Sequence, residues 1–283
     1  MERGSLYSFA FLATATLVIL GLYQLTQRLV FSETSLPAEL KKGNSARALL
    51  HAGHVLGLFI VIPHAVSGAL EGKDPMKDAM WVAIFSLAGA LLLAVTGALG
   101  VRALLRAKLA AEIARGNVAA GVAAASHYVA TALLISSVLG GSTLRELGLA
   151  AAFFGLSQVT LHVFVVMFRA LTSYDDDEEI MGENLAAALS YGGMTIGLAL
   201  IIGRAVEGDF MGWITSLRGY GSALVYCLIL FPIRQLVVQG VLLGAAPTLR
   251  GGALCDAIRS RNVAVGAIEA VTYLGTGLLL SHL

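Results

Sequence analysis

The sequence predicts an all-α polytopic membrane protein, with eight transmembrane helices arranged as four parallel helical-hairpin repeats. Three observations predict it. Of the 283 residues, 57% are hydrophobic and only 13% charged, with a mean hydropathy of +0.81, which leaves too few polar side chains to cover a water-soluble globule. The apolar residues fall into eight blocks, each near the roughly 20 residues a helix needs to cross a bilayer. One short motif, an acidic lead-in followed by Asn and a run of small residues, occurs four times along the chain.

The blocks cover approximately residues 5–30, 45–70, 79–104, 118–140, 147–171, 185–206, 219–245 and 263–282. None shows the strict alternation of a lipid-facing strand, so helices are expected throughout. The first block follows Met1-Glu2-Arg3-Gly4 and runs to about Arg28 without a closing small-x-small site. It reads as a retained helix rather than a signal peptide. Pro37, Pro75 and Pro247 fall at connections, whereas Pro232 lies inside the seventh block and should kink it.

Between the fifth and sixth blocks stand five carboxylates, Asp175-Asp176-Asp177-Glu178-Glu179. They read as a solvated loop, with a weak divalent-cation site or a contact for a basic partner as the sharper alternative. Cys227, in the seventh block, and Cys255, in a loop, lack metal-ligand spacing and lie at different depths. Neither a disulfide nor a metal site is expected. A net charge of +1 and the lack of a long basic tract set nucleic acid aside as a partner.

The four motifs are Glu39-Leu40-Lys41-Lys42-Gly43-Asn44, Glu112-Ile113-Ala114-Arg115-Gly116-Asn117, Glu179-Ile180-Met181-Gly182-Glu183-Asn184 and the altered Ala257-Ile258-Arg259-Ser260-Arg261-Asn262. Their asparagines are 73, 67 and 78 residues apart. Two helices per period bring each copy in from the same side, so the repeats are parallel, and a pseudo-symmetric bundle follows. Two and four residues after Asn come Ala46 and Ala48, Ala119 and Gly121, Ala186 and Ala188, Ala264 and Gly266. Nine and thirteen after it come Gly53 and Gly57, Ser126 and Ala130, Gly193 and Gly197, Val271 and Gly275. Small residues at this spacing let helices approach closely in lipid, which makes the even-numbered helices the inner ones.

Each motif has two readings. Glu39, Glu112 and Glu179 can compensate a helix macrodipole while Asn44, Asn117, Asn184 and Asn262 cap the free amides. Alternatively the Glu and Asn oxygens converge at a cytoplasmic mouth and select cations, although Ala257 breaks a four-carboxylate ring. Connections after odd-numbered helices and their flanks hold twelve basic residues, Arg28, Lys41, Lys42, Arg47, Arg102, Arg106, Lys108, Arg115, Arg169, Arg250, Arg259 and Arg261. The opposite side holds six, Arg3, Lys73, Lys77, Arg145, Arg204 and Arg218. The excess places the motifs in the cytoplasm.

The tandem hairpins with an acidic-x-x-x-Gly-Asn-x-Ala step resemble the bacterial membrane family known as domain of unknown function 350, whose two-helix unit usually occurs in pairs. The resemblance covers essentially the whole chain as two fused pairs, residues 1–142 (units 1–72 and 73–142) and 143–283 (units 143–208 and 209–283). It implies a multi-pass protein of the bacterial cytoplasmic membrane and no catalytic activity.

Ionisable groups inside spans are costly and mark function. At 1.5 Å per residue, Gln24, His51, His54, His127, His162, Arg234 and Glu269 fall roughly 9–17 Å from the cytoplasmic helix ends, forming one polar layer. His51 and Glu269 both stand seven residues after their Asn, where the middle units have Ala124 and Tyr191. A structural reading pairs Arg234 with Glu269 and lets each histidine bond a neighbouring backbone or glutamine group. A functional reading takes His51, His54, His127, Arg234 and Glu269 as a proton- or cation-responsive site. No cofactor is expected; haem is the alternative, through His54 and His127 if they face each other at matching depth. Phosphate-binding loops, nucleophile elbows and zinc-protease helices are missing from the sequence, so no enzyme is expected. A channel or secondary transporter for a small ion or solute is the preferred reading. A non-transporting scaffold that presents its cytoplasmic loops to a partner is the alternative, and self-association is left open.

Overall fold

The computed structural model describes residues 3–30, 36–105, 109–208 and 210–282. Met1, Glu2 and two of the counted basic residues, Arg106 and Lys108, lie outside them. The described residues form helices and no strand: α1 (Arg3–Val30), α2 (Leu36–Lys41), α3 (Ser45–Ala69), α4 (Pro75–Leu105), α5 (Leu109–Ala114), α6 (Val118–Val138) and α7 (Leu144–Arg169). Then follow α8 (Asp176–Met181), α9 (Leu185–Val206), α10 (Trp213–Ala223), α11 (Val225–Arg234) running into a π-helical stretch (Gln235–Leu242), α12 (Ala253–Arg259) and α13 (Val263–Leu280). Eight of these, counting α10 to the π stretch as one, are long and apolar enough to cross a membrane.

Each of α3, α6, α9 and α13 is entered from a short helix, and the chemistry of the turn explains the motif. Asn44 N–H bonds the Glu39 carbonyl while Gly43 N–H bonds that of Leu40, the paired closure that ends a helix with a left-handed residue. Gly43 (φ 75°) and Gly116 (φ 95°) take that conformation freely, but Glu183 (φ 68°) and Arg261 (φ 63°) take it against a cost of roughly 1–2 kcal/mol. Both side chains reach across to a neighbouring motif: Glu183 pairs with Arg115 at 2.5 Å and Arg261 donates to the Gly182 carbonyl at 2.8 Å. The Asn that ends one helix also begins the next, its Oδ1 accepting from the amide three residues on at Arg47, Ala120, Ala187 and Val265.

Packing follows the small residues. The helices α3, α6, α9 and α13 stand side by side in that order, and their mutual contacts are the most extensive in the molecule. A Cβ added at Gly53 would overlap the Ala125 backbone, one at Gly121 that of Ala46, one at Gly193 that of Ala270 and one at Gly266 that of Ala186. Positions two and nine after each Asn therefore meet positions four and eight after the next Asn. The remaining spans fill the grooves: α4 packs on α3 and α6, α7 on α6 and α9, and the α10 to π run on α9 and α13. Burial runs from 78% of the spanning window in α9 to 6% in α1, so the outer layer faces lipid.

The inner helices form an open row rather than a ring. Helices α3 and α13 end the row without packing on each other, and Leu56 and Phe59 on α3, like Ile268 and Val271 on α13, are exposed. The reason is the asymmetry of the contact: each helix uses one face for its predecessor and another for its successor. At the ends the small residue is replaced, by Val271 nine after Asn262 and by Phe59 fifteen after Asn44, which removes the close approach.

Two connections also differ from expectation. The acidic run is not a solvated loop: Asp175 caps α8 through the Asp177 amide, and Asp176 is buried in the first turn. Cys255 lies on α12 rather than in a loop, and both cysteines are free and buried. Pro37 and Pro75 occupy first-turn positions of α2 and α4, where the missing N–H costs nothing. Pro232 lies inside α11, and the span passes into its π stretch three residues later.

Candidate functional site

The strongest electrostatic feature is carried by the seventh span and α13. Glu269 lies two turns into α13, on the side turned to α11, and Arg234 sits where α11 passes into the π stretch. Arg234 Nε donates to Glu269 Oε1 at 2.6 Å, and both side chains are 0% exposed. Arg234 Nη2 lies 3.9 Å from Cys255 Sγ and its guanidinium stands 5.2 Å from the Phe231 ring. Arg234 Nη1 and Glu269 Oε2 have no hydrogen-bond partner among the described residues. A fully buried pair thus keeps one unmet donor and one unmet acceptor.

A second charged group lies alongside. Arg169, the last residue of α7, pairs with Asp176 at 3.2 Å, Asp177 at 3.1 Å and Asp175 at 3.5 Å. Burial pushes the Asp176 carboxyl up to about 7; Arg169 opposes the rise and the charge of Glu269 adds to it. Tyr174, between the two groups, is likewise raised by burial and by Asp176 and Glu269. Arg169, Tyr174, Asp176 and Arg250 line a cavity of about 540 Å³ at the motif end of the molecule. Asp176 therefore stands at the cavity and within electrostatic range of Glu269. The π stretch shapes this end too, because Gln235 and Gln239 turn inward and hold the following loop at the Thr248 and Ala246 carbonyls, each at 2.6 Å.

The histidines do not join this cluster. His51 and His54 lie at the far end of the row, where Tyr23 Oη bonds His51 Nδ1 and His54 stacks on Tyr128 with centroids 4.7 Å apart. His127 meets His162 edge-on at 5.7 Å, and His162 bonds the Gln158 carbonyl. His54 and His127 do not face each other across a gap, so the arrangement a haem would need is not made. The single polar layer of the sequence reading resolves into separate sites, because depth along a helix does not fix which neighbour a side chain meets.

Nor do the motif oxygens converge. Asn44, Asn117 and Asn184 each donate to the Glu five residues earlier, at 3.0, 2.9 and 2.8 Å. Each also donates to the next short helix, at the carbonyls of Ile113, Ile180 and Ile258. These groups are spent on capping and on holding neighbours together. Asn262 makes no such bond to another short helix among the described residues, lacks the Glu and is exposed. Sequence reasoning missed Tyr174 and the pairing of Arg169 with Asp176; the one available signal was the position of Arg169 six residues before the acidic run.

Fold and site together define a polytopic all-α protein of the bacterial inner membrane, with buried ion pairs among tightly packed helices. The chain belongs to the family described as Domain of Unknown Function (DUF350), whose model matches residues 2–139 and 142–283. It is 25% identical over 171 residues to a UPF0719 transmembrane protein of Aquifex aeolicus (strain VF5). That alignment covers 59% of this chain and 62% of the relative, so the chain spans less than two thirds of the relative's length. No solved structure matches.

Proposed function

We propose that the chain is a channel or secondary transporter for a small ion or solute, with Glu269 as the group that takes up and releases a proton or cation. The observation that carries this is the Arg234–Glu269 pair, enclosed on all sides yet with one oxygen and one nitrogen unpaired. Carboxylates in such surroundings are the working groups of intramembrane relays. Asp176 and Arg169 supply the step between that pair and the cavity. Four parallel hairpin repeats, two in each half of the chain, give the scaffold, with the motifs in the cytoplasm and no catalytic role. Cysteines placed at Lys73 or Arg145 should then be labelled from outside the cell, and one at Arg259 should not.

The test is flux through reconstituted protein, measured for protons, alkali cations and small amines. Parent protein should conduct one of these, and Glu269→Gln should abolish it; unchanged flux in Glu269→Gln, Arg234→Gln and Asp176→Asn together removes the proposal. The scaffold reading draws support from one observation, the backbone contact of α3, α6, α9 and α13, which leaves no lumen along the row. Parent protein that carries none of the three solute classes would favour it.

A further inference from the structure

We infer that the groove bounded by α1, α3 and α4 binds the phosphate headgroup of an anionic phospholipid. The groove encloses about 430 Å³ and contains Arg47, His51 and Tyr23 together with apolar walls from Leu22, Leu58 and Leu91. Arg47 and His51 are four residues apart and so share one face of α3.

His51 is only 5% exposed. Its Nδ1 is the one hydrogen-bond partner of the Tyr23 hydroxyl among the described residues, and a phenol in apolar surroundings donates its proton. The other nitrogen, Nε2, then carries a hydrogen, and it is buried without an acceptor among the described residues. Arg47 has no ion pair or side-chain hydrogen bond among the described residues, and its Nε is also buried and unmet. The carboxylate of Glu39 is already held by Lys42 and Asn44, each at 3.0 Å. Two unmet donors, one of them on a cation, therefore belong to residues that line the same cavity, whose other polar side chains are Tyr23, Thr26, Gln27, His54 and Tyr128.

A phosphodiester meets this demand, since a guanidinium binds two of its oxygens side by side and an imidazole N–H can reach a third acceptor position. The walls distinguish a lipid from a free phosphate. Leu22 is 44% and Leu91 65% exposed on the outer layer, so the groove opens sideways to where acyl chains lie. Arg47 is the third residue of α3, at the level of the headgroups, and Leu58 stands about 16 Å deeper at 1.5 Å per residue. A headgroup at Arg47 and a chain along Leu58 and Leu91 would fill the groove from end to end.

The experiment uses the full chain in nanodiscs of mixed phosphatidylglycerol and phosphatidylcholine, with retained lipid counted by native mass spectrometry. Phosphatidylglycerol should be enriched over its bulk ratio, and Arg47→Gln should lower that enrichment about tenfold, the worth of one charge-assisted contact. Arg47→Lys should restore part of it, and His51→Phe should lower it less than Arg47→Gln. Thermal melting in detergent supplies the second readout: phosphatidylglycerol should raise the melting temperature of the parent but not of Arg47→Gln, while inorganic phosphate raises neither. Equal retention of both lipids by the parent, or equal enrichment in Arg47→Gln, overturns the inference. So does protection by inorganic phosphate alone, which would mean a soluble anion, or co-purification of a neutral quinone in place of phospholipid.

Discussion

Removing one partner of the Arg234–Glu269 pair should cost more than removing both. The pair is 2.6 Å apart and 0% exposed on either side, so neither group can turn to water when its partner is lost. Breaking such a pair typically costs about 3–5 kcal/mol, whereas replacing both members by groups of similar volume is near neutral. A carboxylate stranded by Arg234→Gln can be neutralised by a proton, but the guanidinium stranded by Glu269→Gln cannot lose its charge. The expected order of stability is therefore parent or double variant first, Arg234→Gln next and Glu269→Gln last. At this chain length about 1 kcal/mol corresponds to roughly 2 °C in melting temperature, so the single variants should melt roughly 6–10 °C below the parent. Melting of the four proteins in one detergent, followed by tryptophan fluorescence, gives the complete cycle. If the double variant loses the sum of the single losses, the two groups do not compensate each other and the reasoning fails.

Gly53→Leu and Gly193→Leu should each destabilise by at least the roughly 1–3 kcal/mol of overpacking, because a Cβ there meets backbone. Gly155→Leu, with nothing near its Cβ, should melt like the parent. Asp176, raised to about 7 from the ordinary 3.8, binds its proton more tightly in the folded than in the unfolded chain. Stability should thus fall as pH rises from about 4 to 7, and the slope should flatten in Asp176→Asn, as melting across that pH range would reveal. Among the caps, Asn262→Ala should lose only the cap, about 1 kcal/mol. Asn117→Ala and Asn184→Ala should lose more, since each also severs the bond to the next short helix, and comparing the three melting temperatures tests this.

Much of the molecule was legible in the sequence because its causes are local. Span number and length follow from apolar run length, and all eight spans stand where hydropathy places them. The capping role of Asn44, Asn117, Asn184 and Asn262 follows from the spacing to the amides of their own helices. The choice of α3, α6, α9 and α13 as inner helices was visible as small residues at fixed offsets. Even the departures at Val271 and Phe59 were present, although their meaning, an open row instead of a ring, needed the packing.

What only the tertiary structure decided are the partnerships across helices. Residues at one depth, such as His51 and Glu269, share a layer in the sequence but occupy opposite ends of the row. Asp176 appeared as one of five solvated carboxylates until Arg169 and Glu269 were placed beside it. A period along a helix determines the face and the depth of a residue, while its electrostatic surroundings depend on which other helix is brought against that face. That is settled by the fit of Gly53 on Ala125 and Gly193 on Ala270, contacts between segments some 70 residues apart in the chain.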